Sequence, residues 1–149
     1  KWSPQTLAIL RLIDHCMIFV FLGGTYTPFL LASKGDIFEW FLPLVWLMAL
    51  AGILRTVFIP DVNRWIKAGF YMMMGWMALP LIGLWVHELG WDTINLLLMG
   101  GLIYTIGGVM YAKQRPNPWP KTWGYHECFH VAVVLGCIFH YWAVWRVVT

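Results

Sequence analysis

The sequence predicts an all-α integral membrane protein, a bundle of five transmembrane helices, from its composition, its apolar runs and the placement of its charges. Of the 149 residues, 60% are hydrophobic and only 11% are charged, and the mean hydropathy is +0.68. That balance leaves too little polar surface to cover a soluble globule of this size. A membrane-spanning helix needs about 20 mainly apolar residues, so five spans account for nearly the whole chain.

The predicted spans cover about residues 6–31, 37–58, 68–86, 93–112 and 123–147. Each follows a polar or turn-forming stretch, and the connections between them are short, which indicates a single transmembrane helical domain over residues 1–149. In the fourth span, Gly100-Gly101 and Gly107-Gly108 recur seven residues apart and predict close packing against a neighbouring helix. Before the fifth span, KQRPNPWPKT (residues 113–122) holds three prolines, so it predicts an extended strap rather than helix.

The basic residues predict the orientation of the chain. If the Lys1 end is cytoplasmic, eight of the ten Lys and Arg residues lie at cytoplasmic ends of spans: Lys1, Arg11, Arg55, Arg64, Lys67, Lys113, Arg115 and Lys121. Only Lys34 and Arg146 then lie outside, in agreement with the positive-inside rule. The Thr149 end is accordingly predicted to lie outside. This sorting by loop is also unlike the single basic face of a nucleic-acid-binding protein.

Ionisable side chains within the spans are the candidate functional residues, because charge and imidazole are costly at membrane depth. They are Asp14, His15, His126, Glu127, His130 and His140. The three cysteines, Cys16, Cys128 and Cys137, all lie in apolar spans, and an odd number so placed does not indicate a disulfide framework. Cys16 and Cys128 also project away from Asp14 and His126 around their helices, which disfavours them as metal ligands.

His126 and His130 are the best candidate metal ligands. Four residues apart on a helix, they lie about 40° apart around it and about 6 Å along it, so both rings can reach one ion. Neutral imidazoles at this spacing are typical zinc ligands, although an isolated HxxxH more often makes hydrogen bonds to neighbouring helices. His140 lies about 21 Å further along the helix than His126 and is expected to be an interior polar contact near its outer end. His87 is expected to lie in a loop.

Asp14 is predicted to lie at a depth comparable with that of the two histidines, in the inner half of the bilayer. A carboxylate there needs a cation or strong donors to remain ionised. A metal ion with its water is one such partner, and Arg11, three residues earlier, is the alternative.

The stretch HECFH (residues 126–130) matches the H-E-x-x-H pattern of zinc peptidases. In those enzymes a third protein ligand comes from further along the chain, but here no Asp or Glu follows His130 and His140 is out of reach. The peptidase interpretation is therefore disfavoured, and the remaining ligands are expected from upstream. Glu127 is expected to act at the helix start or in support of the ligands, where its charge favours the helix dipole.

Three stretches together resemble the haemolysin III family of bacterial membrane proteins, relatives of the progestin and adipoQ receptors. They are RLIDHCMIFVFLGGTYTPFLL (residues 11–31), GGLIYTIGGVMYAKQRPNPWP (residues 100–120) and YHECFHVAVVLGCIFHYWAV (residues 125–144). The resemblance implies seven helices, of which the five here match the third to the seventh, so the first two helices are expected to be missing from this chain.

The resemblance further implies a zinc ion near the cytoplasmic side, bound by His126, His130 and a histidine of the missing second helix, with Asp14 holding or activating the zinc-bound water. It also implies a bacterial inner-membrane location. The resulting hypothesis is a zinc-dependent hydrolase of a lipid amide or ester, with Asp14 as the catalytic residue. Two alternatives stay open: a channel-forming or cytolytic membrane protein, and a receptor or sensor with structural zinc. The lipid bilayer is the expected partner.

Overall fold

Helices make up nearly all of the computed structural model, which describes residues 2–119 and 121–149. The elements are α1 (Pro4–Ala32), α2 (Asp36–Phe58), α3 (Arg64–Gly75), a 3-10 turn (Leu79–Leu81), α4 (Ile82–Lys113) and α5 (Tyr125–Val148). They form two compact units, the first ending at Val62 and the second beginning at Asn63. The all-α prediction is confirmed, and the expectation of a single domain stays a prediction.

The first unit is a pair of helices that pack through a glycine and buried aromatic rings. Gly52 of α2 lies against the ring of Phe19 of α1, and a methyl group on Gly52 would collide with that ring. Further along the pair, the indole Nε1 of Trp46 donates a hydrogen bond to Thr27 Oγ1 at 3.2 Å. The close approach of α1 and α2 at this point therefore depends on the absence of a side chain at Gly52.

In the second unit the chain reverses direction between α3 and the later part of α4. Trp76, just after α3, donates from Nε1 to Thr105 Oγ1 of α4 at 2.8 Å, and Met72 of α3 lies beside Gly108. Later residues on the α3 side therefore contact earlier residues of α4. This order of contacts means that the two helical passes run antiparallel.

The reversal takes place at Gly90, where φ is +78° and ψ is 157° inside the continuous assignment of α4. An L-residue with a side chain rarely adopts this conformation, whereas glycine does so readily. The predicted spans 68–86 and 93–112 leave residues 87–92 as a connection, and this prediction is wrong in extent, since helix continues on both sides of a one-residue break. His87, expected in a loop, instead lies exposed on the first part of α4.

Helices α4 and α5 pack through the glycine pairs that the sequence indicates. Gly100 lies against His140, and a methyl group on Gly107 would come within 2.8 Å of Ala132 Cβ. The second glycine of each pair, Gly101 or Gly108, faces the α3 side instead. The predicted packing role is confirmed, and the paired glycines allow α4 to approach a helix on two sides.

Within residues 2–119 and 121–149, four helical segments are long and apolar enough to cross a membrane: Pro4–Ala32, Asp36–Phe58, Arg64–Lys113 and Tyr125–Val148. The predicted membrane class is confirmed, although the number of segments differs from the predicted five. The third and fourth predicted spans fall within the single 50-residue segment Arg64–Lys113. Because that segment reverses at Gly90, it contains both of them.

Candidate metal centre

The strap between α4 and α5 sets the start of the helix that carries the two histidines. Asn117 Oδ1 accepts a hydrogen bond from the backbone N–H of Tyr125 at 2.9 Å, and Asn117 Nδ2 donates to the carbonyl of Gln114 at 2.9 Å. Gln114 Nε2 in turn donates to the Tyr125 hydroxyl at 3.1 Å. One asparagine thus ties the end of α4 to the first residue of α5.

Glu127 acts at the same helix start. Its Oε2 accepts a hydrogen bond from the backbone N–H of Gly124 at 2.8 Å, the arrangement of the acidic residue in a capping box. The carboxylate also lies in the first turn, where the helix dipole favours negative charge. This hydrogen bond therefore supports the role at the helix start that the sequence predicts for Glu127.

His126 and His130 meet one turn further along. Their Nε2 atoms are 3.0 Å apart, and the ring centroids are 4.6 Å apart with the planes at 85°. Both residues are half-buried, and the ring of Phe129 lies 6.3 Å from that of His126 and 5.3 Å from that of His130. The structure thus brings the two imidazoles together as their spacing predicts.

The donor set suits zinc. Zinc binds imidazole nitrogen at about 2.0–2.1 Å in tetrahedral sites, which places two nitrogen ligands about 3.3 Å apart. The observed 3.0 Å between the two Nε2 atoms needs to open by only a few tenths of an ångström to accept an ion. The same distance allows one imidazole to donate a hydrogen bond to the other.

Asp14 lies on α1 in the first unit. Its Oδ2 is 3.8 Å from Nδ1 of His15, and its side chain is 41% exposed. Nδ1 of His15 also lies 2.7 Å from the carbonyl oxygen of Arg11. In the described part of the chain Asp14 forms no ion pair with Arg11, which the sequence offered as an alternative to a metal ion. Its observed neighbour is His15.

The remaining candidates lie further along α5. Cys137 Sγ accepts a hydrogen bond from the Tyr104 hydroxyl at 3.3 Å, and all three cysteines are free thiols. The ring of His140 packs on that of Tyr104 with 5.1 Å between centroids. Neither of its buried nitrogens has a hydrogen-bond partner among the described residues. His140 is thus an interior residue, as expected. It contacts the aromatic ring of Tyr104, however, and not a polar group.

Asn117 is the residue at this site that sequence reasoning missed. It caps a helix that begins eight residues later, whereas sequence patterns identify a cap directly before its helix. The sequence feature that could have indicated this role is the position of Asn117 between two prolines of the strap, because asparagine favours turns and caps.

Comparisons with known proteins place the chain in a family. The family model described as "Haemolysin-III related" matches residues 1–141. The chain is 34% identical to "Hemolysin-3 homolog" of Bacillus subtilis (strain 168) over 133 residues, covering 89% of this chain and 60% of that protein. It is 31% identical to "Hemolysin-3" of Bacillus cereus over 144 residues, covering 95% and 62%.

More distant relatives include animal proteins. "Monocyte to macrophage differentiation factor" of Rattus norvegicus is 26% identical over 148 residues, with 92% of this chain and 58% of that protein covered. The chain thus spans about 60% of the length of the bacterial relatives it matches. No solved structure matches it. The match over residues 1–141 and the two Bacillus relatives show that this chain belongs to the haemolysin-III-related family of membrane proteins.

Proposed function

We propose that His126 and His130 bind a zinc ion within the membrane-spanning helices, near the cytoplasmic side, and that this site hydrolyses an acyl amide or ester lipid. The observation that carries the proposal is the 3.0 Å approach of the two Nε2 atoms on α5. The helix start that holds them is fixed by Asn117 and Glu127. Two imidazoles held in this way form half of a zinc site that keeps an open position.

The rest of the site is proposed to come from Asp14 and from outside this chain. Zinc, when bound, supplies a Lewis acid and lowers the pKa of water to about 7. Asp14 is proposed to accept the proton of the attacking water, which is the role that the family resemblance implies for this carboxylate. The third histidine that the family resemblance implies has no counterpart in these 149 residues.

The zinc part is tested by the metal content of the full chain purified in detergent. We expect His126→Ala and His130→Ala each to lose bound zinc, because one imidazole cannot hold the ion alone. His87→Ala is the matched control, since it removes an exposed histidine on α4 and should leave the metal content unchanged. Equal zinc in all four proteins would contradict the proposal.

The catalytic part is tested by Asp14→Asn. We expect this variant to keep its zinc and to lose turnover of a fluorogenic long-chain acyl amide by at least about 100-fold, the usual contribution of a general base. Turnover equal to that of the unmodified chain would remove Asp14 from the catalytic role. Loss of zinc together with turnover would make Asp14 a ligand instead.

Two alternatives are favoured by the names of relatives. The name Hemolysin-3 favours a cytolytic or channel-forming protein, and "Adiponectin receptor protein" of Drosophila melanogaster, 25% identical over 146 residues, favours a receptor or sensor with structural zinc. Unitary currents from the pure protein in a planar bilayer would support the first. Zinc-dependent thermal stability without any turnover would support the second.

A further inference from the structure

A groove on the second unit lies between α4 and α5, at the end of these helices away from the histidine pair. It is open to the surface along its length, and its volume is about 400 Å³. The residues that line it are Asp92, Asn95, Leu96, Met99, Trp142 and Arg146. The four from α4 recur at the spacing of one helix face, and the two from α5 are one turn apart.

The polarity of the groove changes along the helix axis. Asp92, Asn95 and Arg146 supply charge and amide at one end, whereas Leu96, Met99 and Trp142 supply apolar surface. From Asp92 to Met99 the axial distance is about 10 Å. A ligand that fills this groove must therefore be polar at one end and apolar at the other.

The polar end carries a pair of charges that remain open to further partners. Arg146 Nη2 donates to Asp92 Oδ2 at 2.9 Å, and their side chains stay 45% and 75% exposed. A guanidinium has five N–H donors, so Arg146 can bind an anion without leaving Asp92. The carboxylate can likewise accept from a cation. The pair thus presents a positive and a negative group side by side.

The groove also lies close to the ends of two helical segments, where a membrane helix usually meets the lipid headgroups. Arg146 is two residues before the end of α5 at Val148, and Asp92 is two residues after the helix break at Gly90. Trp142 is 59% exposed, and exposed indoles near the end of a membrane helix favour the interface. This placement puts the polar end of the groove nearer the helix ends than the apolar end, the order of headgroup and acyl chain in a lipid.

We propose that this groove binds one zwitterionic phospholipid with a primary ammonium group, of the phosphatidylethanolamine class. Arg146 binds the phosphate through charge-assisted hydrogen bonds, and Asp92 accepts from the ammonium group. The first part of an acyl chain lies along Leu96 and Met99. The site is separate from the histidine pair, and the proposal does not depend on zinc or on hydrolysis.

The test is native mass spectrometry of the full chain, stripped of lipid in detergent and titrated with dioleoylphosphatidylethanolamine or dioleoylphosphatidylglycerol. We expect one bound phosphatidylethanolamine at concentrations about tenfold lower than phosphatidylglycerol, because only the former offers a positively charged donor to the Asp92 carboxylate, whereas the latter offers neutral hydroxyl groups. Arg146→Gln should weaken both lipids by about tenfold or more. Asp92→Asn should abolish the preference and leave phosphatidylglycerol binding at least as strong.

Arg64→Gln is the control, because it removes an exposed arginine from the start of α3, outside the groove. It should bind both lipids like the unmodified chain, and far-ultraviolet circular dichroism confirms that each variant keeps its helices. Asp92→Asn keeps the shape of the side chain, so it tests the proposal even if Arg146→Gln fails to fold. Equal binding of the two lipids by the unmodified chain, or an unchanged preference in Asp92→Asn, would overturn the proposal.

Discussion

Glu127 occupies the glutamate position of an H-E-x-x-H pattern, but its observed hydrogen bond serves the backbone. Its Oε2 accepts from the N–H of Gly124, a group that would otherwise lack a partner at the helix start. In a zinc peptidase, the glutamate of this sequence pattern lies at the reacting water. The hydrogen bond thus favours a capping role for Glu127 and leaves Asp14 as the proposed base.

Replacing Glu127 separates these two roles. We expect Glu127→Gln to keep the zinc content and any turnover, because an amide oxygen still accepts from Gly124. Glu127→Ala should lower the midpoint of thermal unfolding, since it removes the acceptor, and should also keep the zinc. Metal analysis and thermal unfolding of both variants check this. Lost turnover in a folded Glu127→Gln variant would identify Glu127 as the base.

Among single residues, the sequence was sufficient to predict that His126 and His130 meet, because both lie on one helix and the helix repeat alone determines their spacing. It was not sufficient to identify Asn117, whose bond to Tyr125 depends on how the strap folds. It also offered Arg11 as a partner of Asp14, whereas the observed neighbour is His15 at 3.8 Å. Contacts within a helix follow from periodicity, and contacts that depend on loop conformation or rotamer do not.

The start of α5 depends on a cap supplied from the strap. Gly124, which precedes the helix, has no side chain to accept from the first N–H groups, and Asn117 Oδ1 takes this place at Tyr125. We expect Asn117→Ala to lower the free energy of unfolding by about 0.5–2 kcal/mol, as for other lost caps. Asn117→Asp keeps the acceptor for Tyr125 and loses only the donor to the Gln114 carbonyl, so its loss of stability should be smaller. Denaturation of both variants, followed by circular dichroism, measures the difference.

A stability loss of the same size in Asn117→Asp would show that the acceptor oxygen is not what matters. The zinc content adds a second measurement, because a frayed first turn of α5 moves His126. We therefore expect Asn117→Ala, but not Asn117→Asp, to bind zinc more weakly.

The glycines of α4 test the packing between helices. A methyl group at residue 107 would lie 2.8 Å from Ala132 Cβ, whereas one at residue 83 would meet nothing within 4 Å. We expect Gly107→Ala to lower the free energy of unfolding by about 1–3 kcal/mol through overpacking. Gly83→Ala, in the same helix, should be neutral or stabilising. Combining Gly107→Ala with Ala132→Gly should restore stability, and a combination no better than Gly107→Ala alone would contradict this packing.

At the scale of the elements, the seven-residue glycine repeat predicted a packing face, but it did not predict that its two glycines would face different helices. Gly107 faces α5 and Gly108 faces α3, because neighbouring residues point about 100° apart around a helix. The extent of the break at Gly90 was also missed. The polar side chains of His87, Glu88 and Asp92 indicated a loop over several residues, but all three lie in helical turns of α4.

The whole molecule is a membrane protein because its composition leaves no other way to cover its surface, and this is the part of the fold that the sequence predicts best. The length of a span follows from the thickness of the bilayer, so hydropathy is enough to find the helices. Which helices pack together within each unit depends on contacts between particular side chains, which composition does not encode. The predicted orientation of the chain in the membrane remains a proposal. Lys1, one of the basic residues on which it rests, lies outside the described residues.

Labelling with a membrane-impermeant maleimide tests both the two passes within Arg64–Lys113 and the orientation. In a chain whose three cysteines are replaced by alanine, single cysteines are placed at Trp91 and at Trp119, which are 63% and 66% exposed. We expect the two to be labelled from opposite sides of the membrane, with Trp119→Cys reactive only from the cytoplasmic side. Labelling of both from one side would mean that the segment does not cross between them.

Gly90 also sets the length of the rod that follows it. If helical geometry continued through this residue, the 32 residues of α4 would form a rod about 48 Å long, much longer than the hydrocarbon layer of about 30 Å. With the break in place, residues 91–113 form a rod of about 35 Å, which fits that layer with a modest tilt. Membranes of longer or shorter acyl chains should therefore change the tilt of this rod and leave the break where it is.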